Sequence, residues 1–336
     1  MKRDRILLAH GGGGALTREL IEEVIAPTLD NAVLRPLDDS AVLGINGERW
    51  AFTTDSYVVK PVEFPGGDIG RLAICGTIND LATQAARPMW LSLGLILEEG
   101  VPVALLRRVL QSIRAVSDEL GVPVVTGDTK VVERGTCDQM YINTAGIGRC
   151  EAPWPVGAAR ARAGDAVILS GPIGLHGIAV MSRREGIAFT TSVVSDCAPL
   201  WPLVRAVLDT GAELHTLRDP TRGGVAAAVH EIARASGVGI RLWESAIPVP
   251  SEVRGACELL GLDPLTIANE GKLLVICPAQ EADRVVAAMR AHPLGRGAAV
   301  VGEVLEKPKG MALLRTTIGG ERVIDLPSGE DLPRIC

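Results

Sequence analysis

Apolar positions recur with the 3.6-residue period of amphipathic helices over residues 15–26, 68–86, 102–120, 172–184, 222–236, 250–260 and 280–291. Between them lie shorter runs bounded by glycine and proline, which predict strands at about 50–59, 90–98, 122–126, 139–148, 165–169, 213–217, 265–277, 298–305, 311–316 and 321–325. Strands alternating with helices in both halves imply an α/β or α+β fold of packed layers. The stretch EAPWPVG at 151–157 breaks both periods and precedes a fresh strand, so it is the expected linker. The expected division is residues 1–152, residues 153–326, and a mobile tail over 327–336, where PSGEDLPRIC offers two prolines, a glycine and few apolar side chains.

Composition narrows the function. Hydrophobic residues make up 47% of the 336, enough for two cores at ~150 residues per domain. The net charge of −6 is spread along the chain with both signs mixed, which leaves no basic stripe for nucleic acid or an anionic membrane. The apolar run after MKRDR, Ile6 to Ala9, is shorter than a signal peptide needs, and no stretch approaches the ~18 apolar residues of a membrane span, so a cytoplasmic protein is expected. Seven widely spaced cysteines with no C-x-x-C pair suggest neither a disulfide framework nor a zinc site. Six of them sit in apolar or mixed segments and read as small buried side chains; Cys336, the last residue, does not.

Several segments carry the residue types of phosphate chemistry. His10 and the glycines Gly11, Gly12, Gly13 and Gly14 run directly into a helical pattern, and backbone N–H groups of such a loop can face a phosphate at a helix N-terminus. Taken alone this run fits a loop equally well, because it matches neither the dinucleotide fingerprint nor the P-loop. Carboxylates recur beside small or hydroxyl residues in apolar surroundings: Asp38 and Asp39, Asp55 in FTTDSYV, Asp80 in GTINDLA, Asp128 in TGDTK and Asp219 in RDPTRGG. Each alone suits a turn or a helix cap, whereas several converging would bind Mg²⁺ through hard oxygen ligands. Arg222, Gly223 and Gly224 open a helix as a second possible phosphate cradle. TGDTK, with Lys130 two residues after Asp128, is read as the end of an apolar strand. NEGK, with Glu270, is read as a sharp turn within one. Glu270 suits a general base and Lys130 a charge stabiliser, and an ordinary ion pair suits either. Arg334 near Cys336 partly offsets the α-carboxylate that disfavours its thiolate, and ten extended residues at ~3.3 Å each would give the thiol a reach of roughly 30 Å.

Together, AHGGGG, FTTDSYVV, FPGGDIG, LAICGTINDLA, ILEEG, VTGDTKVV, INTAGIG, SDCAPL, RDPTRGGV, ANEGKL, HPLG and the terminal PRIC resemble the HypE family of carbamoyl dehydratases over essentially the whole chain. That resemblance implies a PurM-like two-domain fold that dimerises through the strands of its N-terminal domains, with ATP and Mg²⁺ in clefts across the dimer. It implies cofactor contacts from His10, Gly11, Gly12, Gly13, Gly14, Asp55, Asn79, Thr129, Arg222, Gly223, Gly224 and Asn269, and metal contacts from Asp38, Asp39, Asp80, Asp128 and Asp219. Cys336, Lys130 and Glu270 are then the catalytic set, Cys336 carrying a carbamoyl group that ATP-dependent dehydration turns into a thiocyanate, the source of cyanide ligands for the iron of [NiFe]-hydrogenase. The implied partners are a HypF-type carbamoyltransferase and a HypC–HypD-type iron scaffold. The nearest rivals are other PurM-like enzymes: selenophosphate synthetase, which carries a reactive cysteine or selenocysteine in its glycine-rich segment where this chain has none, aminoimidazole ribonucleotide synthetase and thiamine-phosphate kinase. A non-catalytic assembly protein using the tail only for docking is the other alternative.

Overall fold

A computed structural model describes residues 5–184, 191–326 and 334–336. The first sheet is built from β1 (Ala41–Ile45) and β2 (Glu48–Tyr57), then, after a short hairpin of β3 (Glu63–Phe64) and β4 (Gly67–Asp68), from β5 (Ala86–Glu98), β6 (Val124–Val132) and β7 (Met140–Cys150). Its strand order is β1-β2-β7-β5-β6, antiparallel except for the β5–β6 pair. That parallel pair requires a crossover, which the helix Val103–Leu120 supplies.

Alternation along the strands separates two faces. Ala51, Thr53 and Tyr57 of β2, Ile142 and Thr144 of β7, and Leu91 and Leu95 of β5 are buried beneath the helix Ile69–Thr83. The helix starts where it does because Asp68 accepts hydrogen bonds from the N–H groups of Gly70 and Arg71 at 2.8 and 2.9 Å. Residues of the other parity, Phe52, Ile147, Trp90 and Ile96, leave an apolar face 40–43% exposed, on which Trp50 and Trp90 stack at 6.3 Å.

The second sheet comprises β8 (Asp165–Leu169), β9 (Thr216–Arg218), β10 (Gly239–Trp243), β11 (Leu274–Pro278), β12 (Ala299–Leu305), β13 (Met311–Arg315) and β14 (Glu321–Val323) in the order β14-β13-β10-β12-β8-β11-β9. Every residue of β8 is buried, as expected for a central strand covered on both faces. Core side chains of β8 and β11 pack with Ala282, Val285 and Met289 of the helix Ala282–Ala291 on one face, and with Val225, Val229 and Ile232 of the helix Gly224–Ser236 on the other.

The structure differs from the sequence expectations in several places. The strand expected over 265–277 begins only at Leu274, because 264–266 form a 3₁₀ turn and NEGK precedes the strand. TGDTK lies inside β6, not at a strand end. Strands β1 and β10 and the helix Trp201–Leu208 are additional elements; the helix is short and enters from Ala198-Pro-Leu without a polar cap. The stretch 151–157, which joins the two halves, is itself packed: Ala152 and Val156 are buried with Ala82, Ala85, Ala166 and Ile168, so the two layers share a core. Residues 327–333 of the expected tail lie outside the described residues, and 334–336 are docked in the body.

Asn79 stitches the halves. Fully buried, it donates from Nδ2 to the carbonyls of Ala198 and Glu270 at 3.2 and 3.3 Å and accepts from the N–H of Leu200 at 2.7 Å. Asn79→Ala takes the side-chain partner from the Ala198 carbonyl and the Leu200 N–H, while the Glu270 carbonyl keeps the Ala198 N–H, and should destabilise the chain by about 2–4 kcal/mol in urea unfolding, with both halves loosening in one transition.

Candidate active site

Between the two sheets, the turn before β1, strand β2, the Ile69–Thr83 helix and the end of β9 bring three carboxylates together. Oxygens of Asp39, Asp80 and Asp219 lie within 4.8 Å of one another. Thr53 Oγ1 lies 2.7 Å from Asp80 Oδ2 and 2.9 Å from the Asp39 carbonyl, its single proton shared between them, and Ser40 Oγ donates to the Asp80 carbonyl at 2.8 Å. Arg218 is the main counter-charge, paired with Asp39 and, at 2.6 Å, with Glu231. Burial is the main cause that raises all three acids: Asp39 to about 7, Asp219 to about 6, and Asp80 well above the ordinary carboxylate range, where Asp219 and Asp39 add their repulsion. Three hard oxygen donors short of positive charge fit a small divalent cation such as Mg²⁺.

Next to the acids, the two glycine-bearing turns touch. Gly13 (φ +76°) sits where a Cβ would come within 2.6 Å of the Arg222 Cβ, and a Cβ on Gly223 (φ +74°) would meet the Gly13 carbonyl at 3.2 Å. Gly224, also at positive φ, passes 2.4 Å from the Leu265 carbonyl by the same measure. Arg222 Nη1 donates to the Gly11 carbonyl at 3.2 Å, and its charge is held chiefly by Cys336, with further contributions from Asp55 and Glu270. His10 is buried; its Nδ1 faces the Leu7 backbone and its Nε2 has no hydrogen-bond partner.

Glu270 is 2% exposed, its Oε1 has no partner, and burial followed by the repulsion of Asp219 holds its carboxyl well above the usual range, hence protonated. Its backbone is fixed by Asp196, which accepts from the Glu270 N–H at 3.2 Å and pairs with buried Lys272, also at 3.2 Å. Gly271 must be glycine, since a Cβ there would stand 1.8 Å from the Asp196 carbonyl.

The chain's last residues occupy the same cleft. Val58 and Lys60 donate their N–H groups to the carbonyls of Cys336 and Arg334, both at 3.2 Å, so the end of the chain lies antiparallel to the segment that leaves β2. His176 Nε2 bonds the Ile335 carbonyl at 2.8 Å while Nδ1 faces Ser195 Oγ at 2.8 Å, an arrangement that puts the proton on Nε2. Burial lowers the His176 pKa and keeps the ring neutral. Ile335 is 3% exposed within the first core, and Arg334 pairs with Asp138 and lies over the Tyr141 ring at 6.0 Å.

Not every expected site residue joins this group. Asp38 turns away to accept from the Ala158 N–H at 3.0 Å. The polar atoms of Asn79 and Asn269 are committed to backbone: Asn269 donates to the carbonyls of Pro220 and Ile267 and accepts from the Gly174 N–H, so both asparagines brace the cleft walls. Asp128 and Lys130 pair with each other at 2.5 Å on the exposed face of edge strand β6, and Thr129 is exposed beside them. Asp128 stands three strands from Ser56, roughly 14 Å at ~4.8 Å per strand, and Lys130 two strands, roughly 10 Å, from Tyr141. One chain alone therefore gathers Asp39, Asp55, Asp80, Asp219, Arg222, Glu270 and Cys336, and leaves Asp38, Asp128 and Lys130 outside the carboxylate cluster. Sequence reasoning missed Arg218 and Tyr57, which its own RDPTRGG and FTTDSYVV motifs contained, and His176, which no motif marks.

The AIR synthase related protein family matches in two parts, its N-terminal domain over residues 37–150 and its C-terminal domain over 162–314. Carbamoyl dehydratase HypE of Cupriavidus necator is 50% identical over 337 residues, covering 100% of this chain and 96% of the relative. The protein of the same name from Escherichia coli K12 is 47% identical over 338 residues, covering 99% and 100%. Among solved structures, a HypE–HypF complex matches with a TM-score of 0.87 at 44% identity, over 92% of this chain and 99% of the other. HypE in complex with ATP matches with a TM-score of 0.83 at 43% identity, over 99% and 100%. A thiamine monophosphate kinase from Aquifex aeolicus, 20% identical over 89% and 97% with a TM-score of 0.61, shares the fold alone. The chain belongs to the HypE family of carbamoyl dehydratases, within the AIR synthase related proteins.

Proposed function

We propose that this chain dehydrates a carbamoyl group on its own Cys336 to a thiocyanate at the expense of ATP, with Mg²⁺ held by Asp39, Asp80 and Asp219. The observation that carries this reading is the seating of residues 334–336 against the body, with Cys336 acting on Arg222, which also feels Glu270, itself under the influence of Asp219 of the carboxylate cluster. The relative solved with ATP and the relative solved with HypF support a nucleotide in this cleft and a HypF-type transferase that loads the thiol.

The chemistry divides among named groups. A carbamoyl oxygen is a poor leaving group until the γ-phosphate of ATP is transferred to it; the carbon–oxygen bond then breaks with phosphate. The nitrogen gives up two protons in all, one as the oxygen is phosphorylated and one as phosphate departs. Val58, Lys60 and His176 hold the tail by its backbone carbonyls, which fixes where the thiol points whatever it carries. Arg222 provides positive charge beside Cys336, and Glu270, in a water-poor pocket, offers the unpartnered oxygen nearest this chemistry as proton acceptor once it ionises. A bound Mg²⁺ supplies charge neutralisation for the moving phosphoryl group. Hydrolysis is the competing loss, and burial of Ile335 behind the thiol closes one route for water.

Lys130, Asp128 and Thr129 enter through a homodimer. The face of the first sheet that carries Phe52, Ile147, Trp90 and Ile96 is apolar and exposed, and Asp128 and Lys130 share its side-chain parity. Pairing of two such faces would cover the patch and set Lys130 and Asp128 at the seam, beside the clefts. The thiocyanate would then pass to a HypC–HypD-type iron scaffold. Phosphorylation of a free small molecule, as in a thiamine-phosphate kinase, has no observation in its favour, because the chain's own tail fills the position such a substrate would need.

With carbamoyl phosphate, a HypF-type transferase and MgATP, the C-terminal peptide should appear in intact-mass analysis one water lighter than its carbamoylated form. Cys336→Ala should show neither species; ADP release persisting at the wild-type rate in that variant would count against a tethered substrate. Mg²⁺ affinity measured by calorimetry should rise between about pH 6 and about pH 8 as Asp219 and Asp39 lose their protons. The metal-free protein should lose stability from about pH 4 up to about pH 7, because the unfolded chain releases those protons near the ordinary value of 3.8 whereas the folded chain holds them until about 6 and about 7. Asp39→Asn should therefore weaken Mg²⁺ binding, flatten its pH dependence and raise the metal-free melting temperature at pH ~8. Finally, Phe52→Glu together with Trp90→Glu should convert the dimer to a monomer in light scattering while melting stays cooperative.

A further inference from the structure

Among the described residues, seven buried side-chain atoms lack any hydrogen-bond partner; two of them, Tyr57 Oη and Glu270 Oε1, belong to residues that act on the Arg222 charge, as Cys336 does. Tyr57 has no place in the chemistry set out above, yet it is 1% exposed and is the last residue of β2, one position before the Val58 N–H that binds the Cys336 carbonyl. Its ring belongs to the cluster that contains Ile335 and against which Cys336 packs, and Arg222 senses charge at both Cys336 and Tyr57.

The hydroxyl is held firmly for an atom that bonds nothing. The Ile69–Thr83 helix passes so close that a Cβ on Gly76 would lie 2.2 Å from Tyr57 Oη, so the phenol occupies a notch that only glycine leaves open. Thr77, the neighbouring hydroxyl, pairs with Thr144 and makes no hydrogen bond of ordinary geometry to the phenol, although it sits near enough to lower the phenol's pKa as the smallest of the influences on it. Burial, with Asp55, Asp80 and Glu270 nearby, pushes the phenol well above its ordinary pKa and keeps it neutral. A neutral phenol oxygen can accept a hydrogen bond as readily as donate one. Burying an unpartnered hydroxyl is costly, and the cost falls away when a ligand supplies the missing partner.

We propose that Tyr57 Oη accepts a hydrogen bond from the carbamoyl NH₂ of the loaded tail, beside Glu270, so that the nitrogen is turned toward these two acceptors and the oxygen toward the nucleotide. This rests on the carbamoyl dehydratase reading above. The orientation suits the reaction, because transfer of a phosphoryl group to the oxygen draws electrons from nitrogen and makes its N–H bonds better donors as the barrier is crossed. An acceptor fixed at the nitrogen thus binds the transition state more strongly than the ground state. A donor aimed at the oxygen would instead make it a poorer nucleophile.

The test is single-turnover conversion of pre-carbamoylated full-length protein to thiocyanate after mixing with MgATP, read by intact mass, alongside ATP affinity and melting temperature. Tyr57→Phe removes only the unpartnered hydroxyl, so it should melt at or above the wild-type temperature, accept the carbamoyl group and bind ATP unchanged, yet convert ~10–100-fold more slowly. Wild-type conversion by Tyr57→Phe overturns the proposal; so does a parallel loss of melting temperature and ATP affinity, which would mark the hydroxyl as structural. Absence of thiocyanate from the wild-type protein itself would instead defeat the dehydratase reading. If Tyr57→Phe does not fold, the chain's second and last tyrosine, Tyr141, allows another approach. In a Tyr141→Phe background, uniform 3-fluorotyrosine labels Tyr57 alone and makes its oxygen a poorer acceptor. The labelled protein should be slower than its unlabelled counterpart, and equal rates overturn the proposal.

Discussion

The fold is organised around a repulsion. Asp39, Asp80 and Asp219 come from three separated segments, converge within 4.8 Å and are largely withdrawn from water, with Arg218 as their chief counter-charge. Such a group is unstable unless its protons stay on or a cation enters, and the raised pKa values of all three acids express that choice. Everything near it serves to hold the segments in place despite the repulsion. Thr53 and Ser40 tie the turn before β1 to the Ile69–Thr83 helix, and Arg218 reaches from β9 to Asp39 and Glu231. Asn79 and Asn269 spend their side chains on backbone across the junction of the two layers. Strain of this kind is expected where a site must bind a divalent cation and polyphosphate.

The same junction explains why the layers share a core. Ala82 and Ala85 of the first half pack with Ala166 and Leu200 of the second, while Val180, Met181 and Ala268 of the second pack into the first. A cleft between two freely jointed lobes could not keep three carboxylates at a fixed separation. The stretch 151–157, which breaks every periodic pattern and joins the two lobes, contributes its Ala152 and Val156 to what fixes them together.

Elements with strong periodicity were legible from the sequence: the 69–83, 103–120, 224–236 and 282–291 helices begin and end within three residues of expectation. What pattern reading lost was short or locally ambiguous. Strand β1 alternates weakly because it is an edge strand with little burial, and NEGK read as strand because its apolar neighbours are buried in a loop packed under glycine-only clearances. For the site, grouped acids and glycines pointed to the correct segments but not to which acids meet. Asp38 and Asp39 are adjacent, and only the turn geometry sends one to Ala158 and the other to the cluster. Asp128 and Lys130 pair with each other on an exposed sheet face away from the cluster, and nothing in TGDTK distinguishes that from a cleft position. Single residues that act through position, such as Tyr57 and His176, have no sequence signature because any buried tyrosine or histidine looks the same in one dimension.

The docked tail must satisfy two opposed demands if Cys336 is a carrier. It needs enough affinity to order the thiol during chemistry, and little enough to release it for loading. The contacts divide accordingly. Burial of Ile335 supplies roughly 2–3 kcal/mol, and the hydrogen bonds that the tail carbonyls accept from Val58, Lys60 and His176 add about 1 kcal/mol each net. Ordering three residues costs about 1–2 kcal/mol apiece. These terms nearly cancel, so the seated and released states are close in free energy, and a tether keeps reassociation intramolecular. A change at the thiol that completes the hydrogen bonding of Tyr57 and Glu270 then has leverage far beyond its size. The loaded tail gains partners that the unloaded tail lacks, which biases the cleft toward closing on the species it is built to transform.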